Sequence, residues 1–421
     1  MNDQVNALVQ AAGQAANSGR WQDAERLWTQ VRGLAPNHPQ ALYSLGVHAF
    51  QRGDLNGALE LLVAAHAAAP ADPLILMTTG VVQRERGDIE GEWRAIEATL
   101  AADPYFLPGL ISKAGFLERR GQVKAAAGVY RDVLKVAPPE PRWPDTLRPQ
   151  LLHARKVVED HTQAFAAYLE QALAGPRAAL ETAATGRWAE AASIMSGRSK
   201  PYLSDSNQLC VPRLPAIPFY DRAQFSWVED VEAKTDLIRA ELQVALADQQ
   251  EAFSPYIAYR PGDPVNQWAE LNHSNRWSTY PLWRGGEPVR EHLDRCPQTA
   301  KALEAVEMAE IGGLCPNAMF SALAPHTQIP PHHGETNARL VVHLPLVVPE
   351  NCTYRVGFER TGWTVGEVLI FDDTLEHEAR NDSDDLRVVL IFDVWNPLLS
   401  KAERDMVQAM TQAARAFNAQ G

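Results

Sequence analysis

The stretch Pro330-Pro331-His332-His333-Gly334-Glu335-Thr336-Asn337-Ala338-Arg339-Leu340-Val341-Val342-His343-Leu344-Pro345-Leu346 reads PPHHGETNARLVVHLPL, and its second half has the period of a β-strand. Side chains alternate along a strand, so Arg339, Val341 and His343 face one way and Leu340, Val342 and Leu344 the other. A cation and an imidazole then share a face otherwise suited to burial, where each must find a partner or cost several kcal/mol. A metal-binding histidine at the end of such a strand usually has Asp or Glu two residues on. Here that place holds Gly334.

A second cluster lies downstream in EVLIFDDTLEHEARNDSDDLRVVLIFDVWNP, where an apolar strand runs into a loop carrying His377 and the next strand opens at Arg387. The ten-residue step from His377 to Arg387 suits a hairpin that puts both at one barrel mouth. Taken singly, His332 and His377 read as loop histidines and Arg387 as the cap of a surface strand. Taken together, two imidazoles and an arginine would supply iron ligands and a cation for the distal carboxylate of 2-oxoglutarate. From about Pro212 onward the texture is prolines, tryptophans and short β-rich runs, after one helical stretch near 230–250. That pattern predicts a double-sheet jelly-roll barrel, also called a double-stranded β-helix.

The first third has a different period. Gly19, Gly53, Gly87 and Gly121 are 34 residues apart, as are Pro36, Pro70, Pro104 and Pro138. Small residues recur in the first helix of each unit (Ala12, Gly46, Gly80, Ala114) and in the second (Ala24, Ala58, Ala126), with Glu92 the exception. Small residues let paired helices approach, glycine ends the first helix and proline stops the second. Residues 4–138 resemble the tetratricopeptide repeat family, which implies an α-helical solenoid with a groove for a peptide or partner segment, or a scaffold contact. The expected domains are this repeat region at 1–138, a helical connector at 139–204, the jelly-roll region at 205–400 and a C-terminal helix at 401–421.

Composition narrows the partners. The chain of 421 residues has 39 basic and 52 acidic side chains, a net charge of -13, which argues against nucleic acid. Cys210, Cys296, Cys315 and Cys352 are widely spaced with no C-x-x-C pair, and this suits a reducing cytoplasm. No apolar run reaches the ~18 residues of a membrane span, and the N-terminus lacks a secretory pattern. The expectation is a cytoplasmic protein without a membrane span.

The blocks HTQIPPHHGETNARLVVHLPL and FDDTLEHEARNDSDDLRVVLIFDVWNP, with LNHSNRWSTYPLWRGG and RCPQTAKALE upstream, resemble the aspartyl/asparaginyl β-hydroxylase family of Fe(II)- and 2-oxoglutarate-dependent dioxygenases. The resemblance covers about 205–400. A tetratricopeptide region before this domain is a known arrangement of that family. It implies a site in which glycine replaces the carboxylate ligand, so that His332 and His377 alone hold iron. By the same resemblance Arg387 binds the C5 carboxylate of 2-oxoglutarate, assisted by Ser321, while His343 lies near the C1 carboxylate and Arg339 meets the carboxylate of the substrate. Animal members have a second arginine where this chain has Val341, so His343 is expected to do more at the C1 end. His333 is expected to turn away from a metal on His332, and Glu335 is an alternative contact. Asp372, Asp373 and Glu376 read either as groups orienting His377 or as a solvated acidic turn.

The implied reaction uses dioxygen to hydroxylate the β-carbon of Asp or Asn in a peptide or protein, with succinate and carbon dioxide as coproducts. Hydroxylation of lipid acyl chains, known for relatives, is the alternative within enzymes. A tetratricopeptide adaptor whose barrel only binds is the alternative outside them.

Overall fold

The computed structural model describes residues 2–180, 182–248 and 253–419. The chain divides into two compact units, residues 1–180 with 195–198, and residues 181–194 with 199–421.

Among the described residues, the repeat region of the first unit is built from eight helices in pairs: α1 (Asn2–Asn17), α2 (Trp21–Leu34), α3 (Pro39–Gln51), α4 (Leu55–Ala68), α5 (Pro73–Glu85), α6 (Ile89–Ala102), α7 (Leu107–Arg119) and α8 (Val123–Val136). The 34-residue period has a backbone cause. Gly19, Gly53, Gly87 and Gly121 all adopt positive φ, between 70° and 81°, where a side chain is strained. The second helix of each pair ends two residues before Pro36, Pro70, Pro104 or Pro138. Asp54 and Asp88 accept from backbone N–H groups three residues on, capping α4 and α6.

The small positions are the contacts. A Cβ on Gly46 would sit 3.1 Å from Leu62, and one on Gly80 would sit 3.3 Å from the Cβ of Ala95. At the exceptional position Glu92 is buried, and its carboxylate pairs with Arg119 on α7. After the last repeat, α9 (Arg148–Ala172) packs on α8, and Trp143, Leu151 and Ala154 join the core of the fourth repeat. The early part of the expected connector therefore closes the apolar end of the solenoid, as a terminal repeat requires.

Among the described residues, the second unit holds eleven strands: β1 (Ser254–Pro255), β2 (Trp277–Arg284), β3 (Glu287–Pro288), β4 (Ala318–Leu323), β5 (Thr327–His332), β6 (Arg339–Val347), β7 (Cys352–Val356), β8 (Glu359–Thr361), β9 (Leu369–Phe371), β10 (His377–Asn381) and β11 (Arg387–Trp395). They form two antiparallel sheets. The larger has the order β1-β2-β4-β11-β6-β9 with β3 on β2, and the smaller has the order β5-β10-β7-β8.

Residue parity assigns the faces. Tyr280, Phe320, Leu340, Val342, Leu390 and Phe392 on the larger sheet pack with Val231, Ile238, Leu242 and Leu303, from helices Val228–Glu232, Thr235–Asp248 and Pro297–Leu303. The opposite face contributes Trp277, Leu323, Val341 and Val389 to a core shared with Ile329, Tyr354, Val356 and Ala379 of the smaller sheet. The two sheets thus face each other, and the polar odd-numbered residues lie between them. The helix expected near 230–250 is present through Asp248, while 249 and 250 lie outside the described residues. Helix Lys401–Asn418 follows the sheets, opened by a Ser400–Glu403 capping box.

The expected hairpin from His377 to Arg387 does not form. β10 belongs to the smaller sheet and β11 to the larger, so residues 382–386 cross between sheets. Buried Asn381 fixes this crossing, since its amide donates to the carbonyls of Leu323, Ala324 and Asp385.

Candidate active site

A cavity of about 830 Å³ opens between the sheets and is lined by all six expected site residues, Ser321, His332, Arg339, His343, His377 and Arg387. His332 ends β5 and His377 begins β10 directly opposite it. Their ring centroids are 3.9 Å apart. Each ring is held by a main-chain carbonyl two residues back: His332 Nδ1 lies 2.8 Å from the oxygen of Pro330, and His377 Nδ1 lies 3.0 Å from that of Leu375. A carbonyl only accepts, so both Nδ1 atoms carry the proton and both Nε2 atoms present a lone pair. Burial drives the His332 pKa down to about 3 and that of His377 to about 4. Neutral imidazoles with a fixed tautomer are the form that binds a metal.

Among the described residues, no group of three or more His, Cys, Asp or Glu side chains is arranged to hold a metal ion. The two facing imidazoles stand without a carboxylate from position 334, which is glycine. His333 lines the same cavity, with its Nδ1 2.9 Å from the carbonyl of Thr374. Asp372 and Asp373 are buried and so are not a solvated turn, and the main chain of Asp373 also hydrogen-bonds the His377 ring. Asp372 is buried against the Thr374 hydroxyl and amide, and burial raises its pKa to about 6. Glu376 pairs with Arg355 at 2.9 Å.

The two arginines differ in their surroundings. Arg387 is 1% exposed and, among the described residues, its Nε has no hydrogen-bond partner and its guanidinium has no carboxylate within ion-pair distance. Burial pushes its pKa down to about 10. Its guanidinium lies 4.8 Å from the ring centroid of Trp363, a cation–π contact. Ser321 lies on β4 across from Val389, beside the Arg387–Leu323 pair, and its hydroxyl accepts from Trp277 Nε1 at 3.1 Å.

Arg339 is also buried, but three carboxylates surround it: Asp373 at 2.8 Å, Asp393 at 3.4 Å and Glu335 at 3.7 Å. Its charge is thus matched within the protein, although Arg339 lines the cavity with the other expected site residues. The 2.8 Å contact is an ion pair without hydrogen-bond alignment, for neither Nε nor Nη1 of Arg339 has an aligned acceptor. His343 accepts at Nδ1 from Trp363 Nε1 at 3.2 Å. Burial, and then Arg387, holds its pKa well below the usual imidazole range.

Sequence reasoning missed Asp393, Trp363 and Trp277, and it named Asp373 without its pairing to Arg339. Odd parity on β11 and β2 offered a signal for Asp393 and Trp277. Asp373 and Trp363 lie outside strands, where no period points inward.

The sequence model of the aspartyl/asparaginyl beta-hydroxylase family matches residues 232–397. The ornithine lipid ester-linked acyl 2-hydroxylase of Rhizobium tropici is 36% identical over 202 residues, which are 47% of this chain and 68% of that protein. Human aspartyl/asparaginyl beta-hydroxylase is 37% identical over 142 residues, 33% of this chain and 18% of its own length. Over 31% of this chain, the solved structure of MamA from Desulfovibrio magneticus RS-1 aligns at 26% identity, with a TM-score of 0.29 and 75% of that chain covered. An antiparallel two-sheet domain with a two-histidine site, joined to a repeat solenoid, defines the class. The chain belongs to the aspartyl/asparaginyl β-hydroxylase family.

Proposed function

We propose that the second unit is a jelly-roll dioxygenase dependent on Fe(II) and 2-oxoglutarate, and that it hydroxylates the β-carbon of Asp or Asn in a peptide or protein. The observation that carries this reading is a buried arginine, Arg387, without a counterion among the described residues, in the same cavity as two histidines whose Nδ1 atoms are held by main-chain carbonyls. Removing a cation from water without a partner is expensive, so the cavity calls for an anion at Arg387.

The residues fit the implied groups. His332 and His377 would hold iron through Nε2, Arg387 would take the distal carboxylate of 2-oxoglutarate beside Ser321, and His343 would face the proximal one. Bound there, iron and 2-oxoglutarate would supply the oxidising power for inserting one atom of dioxygen into a C–H bond, releasing succinate and carbon dioxide. Val341 places no charge at the proximal end. Trp268, whose ring centroid is 5.0 Å from that of His332, and Phe371 beside His343 keep water from the reacting side. Arg339 shapes the wall through Asp373 and Asp393. The repeat groove would present the polypeptide.

A second reading, hydroxylation of a lipid acyl chain, is favoured by two observations. The Rhizobium tropici relative carries that activity in its name, and a neutralised Arg339 makes no demand for a carboxylate in the substrate. Among the described residues no helix is long and apolar enough to cross a membrane. The test is to incubate the protein with Fe(II), 2-oxoglutarate and either a peptide library or a lipid extract, following succinate and the gain of one oxygen by mass. Succinate formation lost in His377→Ala supports the enzyme, and the substrate pool that gains oxygen decides between the readings. No succinate under either condition refutes both.

A further inference from the structure

The loop between β8 and β9 places one indole against two groups of the cavity. Trp363 is 8% exposed, its ring stacks on Tyr354 with centroids 5.2 Å apart, and Arg387 lies over its face. Its Nε1–H is aligned on His343 Nδ1 at 3.2 Å. An indole nitrogen can only donate. His343 must therefore accept at Nδ1, and the single proton of the neutral ring resides on Nε2. That leaves a donor, not a lone pair, on the edge of His343 away from the indole.

We propose that Trp363 is the positioning residue of the cosubstrate pocket: one ring sets the tautomer of His343 through its N–H and seats the Arg387 guanidinium on its face. This rests on the reading of the cavity as a 2-oxoglutarate site. An anionic cosubstrate needs donors at both ends. Without the indole N–H the imidazole is free to take the opposite tautomer, which turns a lone pair toward a carboxylate oxygen. The chain has special need of this device, because the neighbouring inward position on β6 holds Val341 and supplies no cation. Trp363 is not among the residues lining the cavity and acts on it through His343 and Arg387, so it is a positioning residue.

Two substitutions separate the functions of the ring. Replacing Trp363 by 3-benzothienylalanine, which has sulfur where indole has N–H, keeps the shape and the stacking and removes only the donor. Trp363→Phe removes the donor and shrinks the face beneath Arg387. Calorimetric titration of 2-oxoglutarate in the presence of Zn(II), which does not support oxidation, reads affinity without turnover. Loss of a buried hydrogen bond predicts binding weaker by about tenfold in the benzothienyl protein, and weaker again in Trp363→Phe. Imidazole nitrogen-15 spectra of the wild type should show His343 protonated at Nε2, a readout that a merely structural role would not move. Affinities within twofold of wild type in both variants, or a proton on Nδ1 of His343, overturn the proposal. Wild-type protein that binds no 2-oxoglutarate instead overturns the cosubstrate reading itself, and the nitrogen spectrum still decides the tautomer.

Discussion

The carboxylate of Asp373 fills the space that a side chain at residue 334 would need. A Cβ built on Gly334 falls on the Asp373 carboxyl group, closer than real carbon atoms approach, and the Gly334 N–H donates to the Asp373 carbonyl at 2.7 Å. The same carboxylate is the nearest counterion of Arg339. A side chain at this position therefore requires the Asp373 carboxylate to move.

Gly334→Ala should therefore displace Asp373 and leave Arg339 short of a charge partner. Breaking a buried pair typically costs ~3–5 kcal/mol, and part of that should appear as a loss in chemical denaturation. In an Asp373→Ala background the clash is gone, and the further cost of Gly334→Ala should fall to under ~1 kcal/mol in a double-mutant cycle. Equal costs in both backgrounds would place the strain elsewhere. Gly334→Asp should not create a third metal ligand, because its carboxylate would have to occupy the volume of Asp373.

The arginines should separate cleanly. Arg387→Ala should raise the apparent KM for 2-oxoglutarate by about two orders of magnitude or more, in keeping with loss of one member of a buried charge pair. Arg339→Ala should act first on stability, since it leaves Asp373 and Asp393 buried without a cation, at a cost of order ~3 kcal/mol. Urea unfolding and steady-state kinetics measure the two. A fully stable Arg339→Ala protein would show that Asp373 and Asp393 are not balanced by it.

Metal binding should resist acid. Both histidines have native pKa values lowered from 6.5, to about 3 and about 4, so their neutral form persists well below neutrality. The affinity for Zn(II) should stay nearly flat from about pH 8 to about pH 5, where free imidazoles would already be losing it to protons. The sign for folding is opposite. Unfolded histidines take up protons below about 6.5 and these two do not, so the metal-free protein keeps their stability contribution above that value and loses it as pH falls toward 4. Isothermal titration across this range, with His332→Ala and His377→Ala as controls that bind no metal, checks both.

In the solenoid, Glu92→Ala restores the small residue that Ala24, Ala58 and Ala126 supply in the other repeats. Arg119 is half exposed and can be solvated when its partner goes, whereas burial raises the pKa of Glu92. Thermal unfolding should show a change of no more than ~1 kcal/mol, in contrast to the loss expected from Ala58→Glu.

The sequence by itself determined the solenoid, because each repeat touches only its neighbours. A glycine at positive φ, a small contact residue and a stopping proline are all local requirements, so they recur at the 34-residue period in the chain itself. It also determined which residues of β6 and β11 face inward, since side-chain alternation needs only a strand. Tertiary structure alone decided the rest. The path from His377 to Arg387 crosses between sheets because Asn381 bonds to carbonyls 57 and 58 residues away, and no turn signal encodes that. Arg339 meets Asp373 and Asp393, and Trp363 meets His343, across strands and loops whose pairing depends on how two sheets close over one cavity. Spacing along the chain carries local geometry, whereas a buried charge takes its meaning from counterions that only the packed sheets bring to it.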